Sequence, residues 1–254
     1  IASPPRQHLE HCLSALAARK QVYLEKPMGM NARECKAIID AEATSPAKVA
    51  VAHYRRALPA FMKVGEIIRN KVIGDVRLAE VNFYLPEENS ILPETGTNWR
   101  LNPQISGGGL FHDLSPHLFD LLLVYFGRPL EYDGFSKRLN QAAAADDFVQ
   151  GTILFESNII FRGCWCFSVA PCAASERLII TGNQGVVSVP FFGDEIRLCT
   201  GGQEEVVRFD NPVNIQLPMI EAVTSYFLGE ADCPCSTADG LKVMEIIDKF
   251  TSPK

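Results

Sequence analysis

Residues 1–27 run Ile1-Ala2-Ser3-Pro4-Pro5, then His8-Leu9 and a helical-looking stretch, then Gln21-Val22-Tyr23-Leu24-Glu25-Lys26-Pro27. Their reading decides the fold. Ile1-Ala2 reads as the end of a strand and Ser3-Pro4-Pro5 as the loop after it. Leu9, Cys12, Leu13 and Leu16 recur at i, i+3, i+4 and i+7, the buried stripe of a helix. Gln21–Leu24 is a short buried strand that Glu25-Lys26-Pro27 stops. Strand, helix and strand in so few residues make a βαβ unit, which implies a parallel sheet with a right-handed crossover.

The unit continues. A second helix is expected from Asn31, with Glu34 as its capping-box partner and Cys35, Ile38, Ile39 and Ala43 on its apolar face. Lys48–Tyr54 (KVAVAHY) is the next strand. Residues 1–55 therefore read as the C-terminal part of a doubly wound, dinucleotide-binding (Rossmann) domain. Such domains carry G-x-G-x-x-G after their first strand. No such motif occurs in the sequence, so the expectation is that the front of this domain lies outside the chain.

Beyond residue 55 the pattern changes. Phe61, Val64, Ile67 and Ile68 mark a helix, and Val76–Leu85 a strand. A loop rich in Pro, Glu, Asn and Thr then leads to Trp99-Arg100. From Leu130 to Phe209 short strands follow one another, around Glu131–Lys137, Phe148–Phe155, Ile159–Phe167, Glu176–Thr181, Val186–Val189, Glu195–Cys199 and Val206–Phe209. Consecutive strands with tight turns predict an antiparallel meander. Helices near Ile215–Leu228 and Thr237–Phe250 close the chain. The fold class is α/β plus α+β: a partial parallel sheet (1–55), then a domain with a large, mostly antiparallel sheet and flanking helices (56–254).

Composition narrows the function. A net charge of −6 with no basic run argues against nucleic acid as a partner. No apolar run is long enough to cross a bilayer, so no membrane role is expected. The eight cysteines form no C-x-x-C pair and read as reduced thiols of a cytoplasmic protein. Cys164 and Cys166 alternate along a strand, which favours core packing over a metal site.

The chemistry concentrates in Gly107-Gly108-Gly109-Leu110-Phe111-His112-Asp113-Leu114-Ser115-Pro116-His117-Leu118-Phe119-Asp120. Asp113, His117 and Asp120 sit at i, i+4 and i+7, on one stripe of a helix whose other positions are apolar. A carboxylate beside an imidazole on a buried stripe is expensive unless it serves a reaction. Pro116 leaves an alternative open. If Ser115 were the N-cap and Pro116 the first helical residue, Asp113 would lie outside the helix. His112 faces elsewhere and reads as structural or pocket-rim. Tyr54 and Arg55 end a parallel strand at its carboxyl edge, where ligands bind in such folds, and are candidate substrate-binding residues.

Four landmarks occur in order: Ser3-Pro4-Pro5 with His8, Glu25-Lys26-Pro27, Trp99-Arg100, and Gly108-Gly109 followed by Asp113, His117 and Asp120. Together they closely resemble the Gfo/Idh/MocA family of NAD(P)-dependent oxidoreductases, over essentially the whole chain. The resemblance implies NAD or NADP as cofactor, with Ser3, Pro4, Pro5, His8, Glu25, Lys26, Pro27, Trp99 and Arg100 on its side of the site. It implies that Lys26 reaches the nicotinamide ribose and the substrate, ahead of a cis proline at Pro27. It implies that His117 is the general acid/base, with Asp113 orienting its ring or touching the substrate, alongside Tyr54 and Arg55. Histidine suits that task because its ordinary pKa lies near neutrality. The glycines read as close-approach positions beside the cofactor, and Asp120 as a structural member of the stripe.

The expected function is hydride transfer between NAD(P) and a hydroxyl carbon of a sugar or cyclic polyol, with no metal. A homo-oligomer, dimer or tetramer, is expected through the sheet face, because Ile159–Phe167 (IIFRGCWCF) is apolar on both faces. The competing reading is a non-catalytic ligand-sensing or regulatory protein on the same scaffold. The chain as given would then be either a truncated enzyme or that binding protein.

Overall fold

A computed structural model describes residues 1–87 and 98–252; most of the Pro/Glu/Asn/Thr-rich loop before Trp99 lies outside the described residues. Two sheets share one long helix. The first unit contains α1 (His8–Ala17), β1 (Val22–Leu24), α2 (Ala32–Ala43) and β2 (Val49–Val51). β1 and β2 pair in parallel, as the βαβ reading requires. Ile1 is not part of a regular strand, but its backbone bonds to Tyr23 and Glu25 as a neighbouring strand would.

Local differences have local causes. Asn31 caps α2 by accepting from the Glu34 N–H at 3.0 Å. The Glu34 carboxylate reaches back to Met30 N rather than to Asn31 N, so the capping box is not reciprocal. The strand expected over Lys48–Tyr54 stops at Val51. Ala52 N still bonds to Leu24 O, but the chain then turns into a 3-10 segment at Tyr54–Ala57, which keeps Tyr54 and Arg55 together and sends Arg56 to Asp120.

α3 (Pro59–Arg69) leads to β3 (Val76–Tyr84). After Trp99 come the short α4 (Pro103–Ser106) and the long α5 (Leu110–Phe126). The second sheet is completed by β4 (Pro129–Lys137), β5 (Phe148–Phe155), β6 (Ile160–Cys166), β7 (Ser175–Gly182), β8 (Gly185–Pro190), β9 (Glu195–Thr200) and β10 (Gln203–Arg208). Its order is β10-β9-β8-β7-β3-β6-β5-β4. The single meander expected from the strand spacing is thus two meanders, β4–β6 and β7–β10. β3 is inserted between them, parallel to β6 and antiparallel to β7. α6 (Leu217–Leu228) and α7 (Thr237–Thr251) close the chain, the latter with a complete Ser236–Asp239 capping box.

α5 is the shared element. Phe111 packs edge-on and Phe119 tilted against Trp165, and Phe119 also meets Phe161 and Phe250, so this flank of α5 seats on the inner face of the large sheet. Gly134, Gly151 and Gly163 lie side by side across β4, β5 and β6. A Cβ on Gly151 would come within 2.2 Å of the Phe250 ring, so the glycines hollow the sheet where α7 and the aromatic cluster press on it. The opposite flank of α5 faces the parallel unit and carries the polar stripe.

The outer face of the large sheet is mixed. Ile160 is 51% exposed beside Arg162, which pairs with Glu80. Cys164 and Cys166 lie on this outer face and are only half-buried, not in the core as their alternation suggested. Phe161, Gly163 and Trp165 take the buried face instead. All eight cysteines are free thiols, and no cluster of metal-ligating side chains exists among the described residues. No helix of the described residues is long and apolar enough to cross a membrane.

Candidate active site

α5 runs unbroken through Pro116, from the N-cap Gly109 to Phe126. The proline removes one N–H from the ladder without ending the helix, which is enclosed on nearly all sides. Asp113, His117 and Asp120 are therefore on one helix, but they serve two separate clusters.

Asp113 and His117 open into a pocket of about 370 Å³ at the carboxyl ends of β1 and β2. Lys26, just past β1, donates from Nζ to both the carbonyl oxygen and Oδ1 of Asp113, each at 2.7 Å. Arg100 Nε lies 3.2 Å from Asp113 Oδ2, and its guanidinium stacks on Trp99 at 4.5 Å. Both carboxylate oxygens of Asp113 are thus held by cations. The carboxylate fixes Lys26 and Arg100 rather than the ring of His117.

His117 is 4% exposed, and its Nδ1 has no hydrogen-bond partner. The Tyr54 ring packs edge-on against it at 5.0 Å, and the His53 ring stands perpendicular to it at 6.1 Å. Burial holds His117 well below the ordinary imidazole range, and the positive charges of Lys26 and Arg55 push the same way. Its ring is neutral at pH 7. Since Nδ1 is enclosed, Nε2 is the nitrogen left to meet a ligand. His53 is buried with neither nitrogen partnered. Unmade hydrogen bonds of this kind cost about 1–3 kcal/mol each, and such debts collect at functional sites.

Ser3, Pro5, Glu25, Tyr54, Arg55, Trp99 and Arg100 also line this pocket. Pro4, His8 and Pro27 do not. His8 is fully buried behind the wall, with Nδ1 2.8 Å from Pro27 O and Nε2 2.8 Å from Ser3 O. It ties the Ser3–Pro5 loop to the Lys26–Pro27 turn, whose peptide bond is cis. Burial lowers its pKa, although the two carbonyls oppose that. Besides Ala2 and Leu114, which flank expected site residues, Phe192 and Gln216 line the pocket without having been expected from the sequence. Gln216 Nε2 donates to Glu25 Oε1 at 2.9 Å. Both come from loops of the second domain, and no spacing or motif marks them.

The glycines turn out not to face this pocket. Gly107 takes φ +94° to end α4, and Gly109 φ +78° to cap α5. A Cβ on Gly108 would fall 2.1 Å from the His112 ring. Gly107, Gly108 and His112 instead line a separate pocket of about 490 Å³ with Met30 and Asp248. Asp120, 0% exposed, points away to Arg56, which it meets through both oxygens.

The residues of the 370 Å³ pocket fit the nicotinamide end of a dinucleotide. They bring an ammonium donor, an aromatic wall and an orphaned buried imidazole to the carboxyl ends of parallel strands. Lys26 and the Ser3–Pro5 loop would hold it there.

Residues 1–53 match the family described as "Oxidoreductase family, NAD-binding Rossmann fold", and residues 61–188 match the GFO/IDH/MocA C-terminal domain. Oxidoreductase P35 of Formosa agariphila is 38% identical over 250 residues, covering 98% of this chain and 77% of P35. Levoglucosan dehydrogenase of Pseudarthrobacter phenanthrenivorans is 31% identical over 127 residues, half of this chain and 32% of that enzyme. Among solved structures, aldose-aldose oxidoreductase from Caulobacter crescentus, complexed with glycerol, superposes with a TM-score of 0.84 at 21% identity. The match covers 98% of this chain and 74% of that one, and at this identity it speaks for the fold.

Proposed function

The chain belongs to the Gfo/Idh/MocA family of NAD-binding oxidoreductases, and from that premise we propose that it is a dehydrogenase acting on a hydroxyl carbon of a sugar or cyclic polyol. The observation that carries this reading is the neutral, unpartnered His117 facing the Lys26–Asp113–Arg100 cluster across one pocket. Bound NAD(P) would supply the hydride acceptor at its nicotinamide ring. The chain's own residues would do the rest. His117 Nε2 takes the hydroxyl proton as the C–H electron pair leaves the same carbon. Lys26 spends two donors on Asp113, and its remaining N–H is placed to stabilise the oxygen as it gains charge. Asp113 holds Lys26 and Arg100 in position. Tyr54, Arg55 and Phe192 form the substrate wall.

The levoglucosan dehydrogenase relative, whose name specifies a sugar substrate, favours a carbohydrate hydroxyl. The sheet's outer face, with Ile160 on β6 and Ile179 on β7 exposed to either side of β3, supports association of two copies there. The test is turnover by the purified gene product on a panel of aldoses, sugar acids and cyclic polyols with NAD⁺ and NADP⁺, read by reduced-nicotinamide absorbance. Turnover abolished by His117→Ala is expected. Tight sugar binding without turnover on any member would move the protein to the ligand-sensing class.

A further inference from the structure

Arg55 and Arg56 are adjacent in sequence and opposite in circumstance. Arg56 meets Asp120 and lies 3.5 Å from Asp239. Arg55 is 6% exposed and has no carboxylate within 4 Å among the described residues. Its one hydrogen bond goes from a terminal nitrogen to the Phe191 carbonyl, and its Nε is buried without a partner. Its guanidinium lies on the Phe191 ring at 4.0 Å, with Phe192, Tyr54 and Phe61 at 5.2, 5.6 and 5.7 Å. Glu176 exerts some pull on it, but that carboxylate accepts from the Phe191 and Phe192 N–H groups instead. A buried cation without a counter-charge costs several kcal/mol, and aromatic faces offset only part of that.

The surroundings show where a counter-charge would come from. Arg55 lines the pocket beside His117, where, among the described residues, three cations (Lys26, Arg55, Arg100) face two carboxylates (Glu25, Asp113). Asp113 is committed to Lys26 and Arg100, and Glu25 to Gln216 and the Lys26 N–H. One positive charge is left over among these groups, and Arg55 is the cation that none of their carboxylates touches. A ligand bearing a single carboxylate would neutralise the pocket. A guanidinium is the side chain whose planar fork matches a carboxylate. Arg55 rests on Phe191–Phe192, in the turn between β8 and β9, rather than on the Ser3–Pro5 loop, so it belongs to the substrate wall.

We propose that Arg55 is a carboxylate anchor, and that the substrate accepted beside His117 is a sugar acid, uronic or aldonic, rather than a neutral sugar. This rests on reading the pocket as the sugar site. A charge-assisted hydrogen bond contributes about 1.5–3 kcal/mol, so the acid should bind roughly 10- to 100-fold more tightly than its neutral counterpart.

The test is a binding titration of the purified gene product, by calorimetry and by quenching of Trp99, which lines the pocket. Ligands are D-glucuronate, D-galacturonate and D-gluconate, each against its neutral counterpart (D-glucose, D-galactose, D-glucitol), together with the methyl esters of the two uronates. At least one acid should bind tenfold or more tightly than both its neutral counterpart and, for a uronate, its ester. Arg55→Gln should erase that preference and Arg55→Lys restore part of it, while NADH affinity stays within twofold. Equal binding in every pair, no binding of any acid, or a preference that survives in Arg55→Gln overturns the proposal. If Arg55→Gln does not fold, the ester comparison on the wild type decides alone. Turnover of neutral sugars without acid preference removes the anchor and leaves the dehydrogenase; acid preference without turnover does the reverse.

Discussion

The two ends of the polar stripe on α5 carry the same kind of group and do different work. At the N-terminal end, Asp113 is held by Lys26 and Arg100 at the edge of an open pocket, and His117 next to it has an idle nitrogen. One turn further on, Asp120 is sealed from solvent. Both its oxygens are taken by Arg56, whose other donor goes to Pro234 O at 2.6 Å, and Cys235 Sγ lies 3.9 Å away. Burial works against the Arg56 charge, but Asp120, with Cys235 and Asp239, more than offsets it and holds the guanidinium charged; burial, with Asp120 adding to it, pushes the Cys235 thiol well up. The interior end is satisfied and the pocket end is not. Satisfaction marks a structural ion pair, and orphaned groups beside a cavity mark a reactive one.

That contrast can be broken by experiment. The largest effect is expected at the pocket end: His117→Ala should lower turnover by about 10²–10⁴ while NAD(P)H affinity barely changes. Wild-type turnover in that variant would take His117 out of the mechanism. At the interior end Asp120→Ala should leave the buried Arg56 with only its 3.5 Å contact to the half-exposed Asp239, and cost up to about 3–5 kcal/mol of stability, read as a drop in the urea midpoint. Turnover per folded molecule should survive. If turnover fell and stability did not, Asp120 would belong to the site.

A smaller effect should come from between α4 and α5. Gly108→Ala would press a methyl group into the His112 ring, at a cost of about 1–3 kcal/mol. An unchanged melting temperature would mean that His112 moves aside freely.

The smallest effect is a pH dependence shared by the buried histidines. His53, His112 and His117 are all lowered from their ordinary value by burial, His112 to about 4. A lowered folded-state pKa means that the unfolded chain takes up protons first as pH falls. The stability contribution is therefore complete above about pH 6.5 and is lost progressively below it, down to the folded-state pKa. Between pH 7.5 and 5.5 His112 alone should contribute a loss of about 1 kcal/mol, as His112→Gln would show by flattening the urea-midpoint profile. A profile unchanged by that substitution would show His112 charged at pH 5.5.

The sequence made the βαβ start, the strand-rich second half and the Asp113–His117 spacing legible, because all three are written in local periodicity. The position of β3 was not legible. Its partners β6 and β7 are distant in sequence, and pairing across such a gap leaves no mark on the strand itself. The roles of the glycines were misread for a similar reason. Three glycines in a row can serve a cofactor or a neighbouring ring, and only the placement of His112 tells which. Likewise His8 has a motif position but sits behind the wall, and Phe192 and Gln216 have no motif but line the pocket.

By itself, then, the sequence determined which residues are chemically able to act, and that Asp113, His117 and Asp120 fall on one helix face. Only the tertiary structure decided which of them share a cavity. It turned Asp113 toward Lys26 and Arg100, gave Asp120 to Arg56, and left Arg55 without a carboxylate partner among the described residues. The reason is physical. Helical spacing fixes direction around one axis, but whether a charge is satisfied depends on partners outside that helix, as far as 87 residues away in sequence, which only folding brings into range.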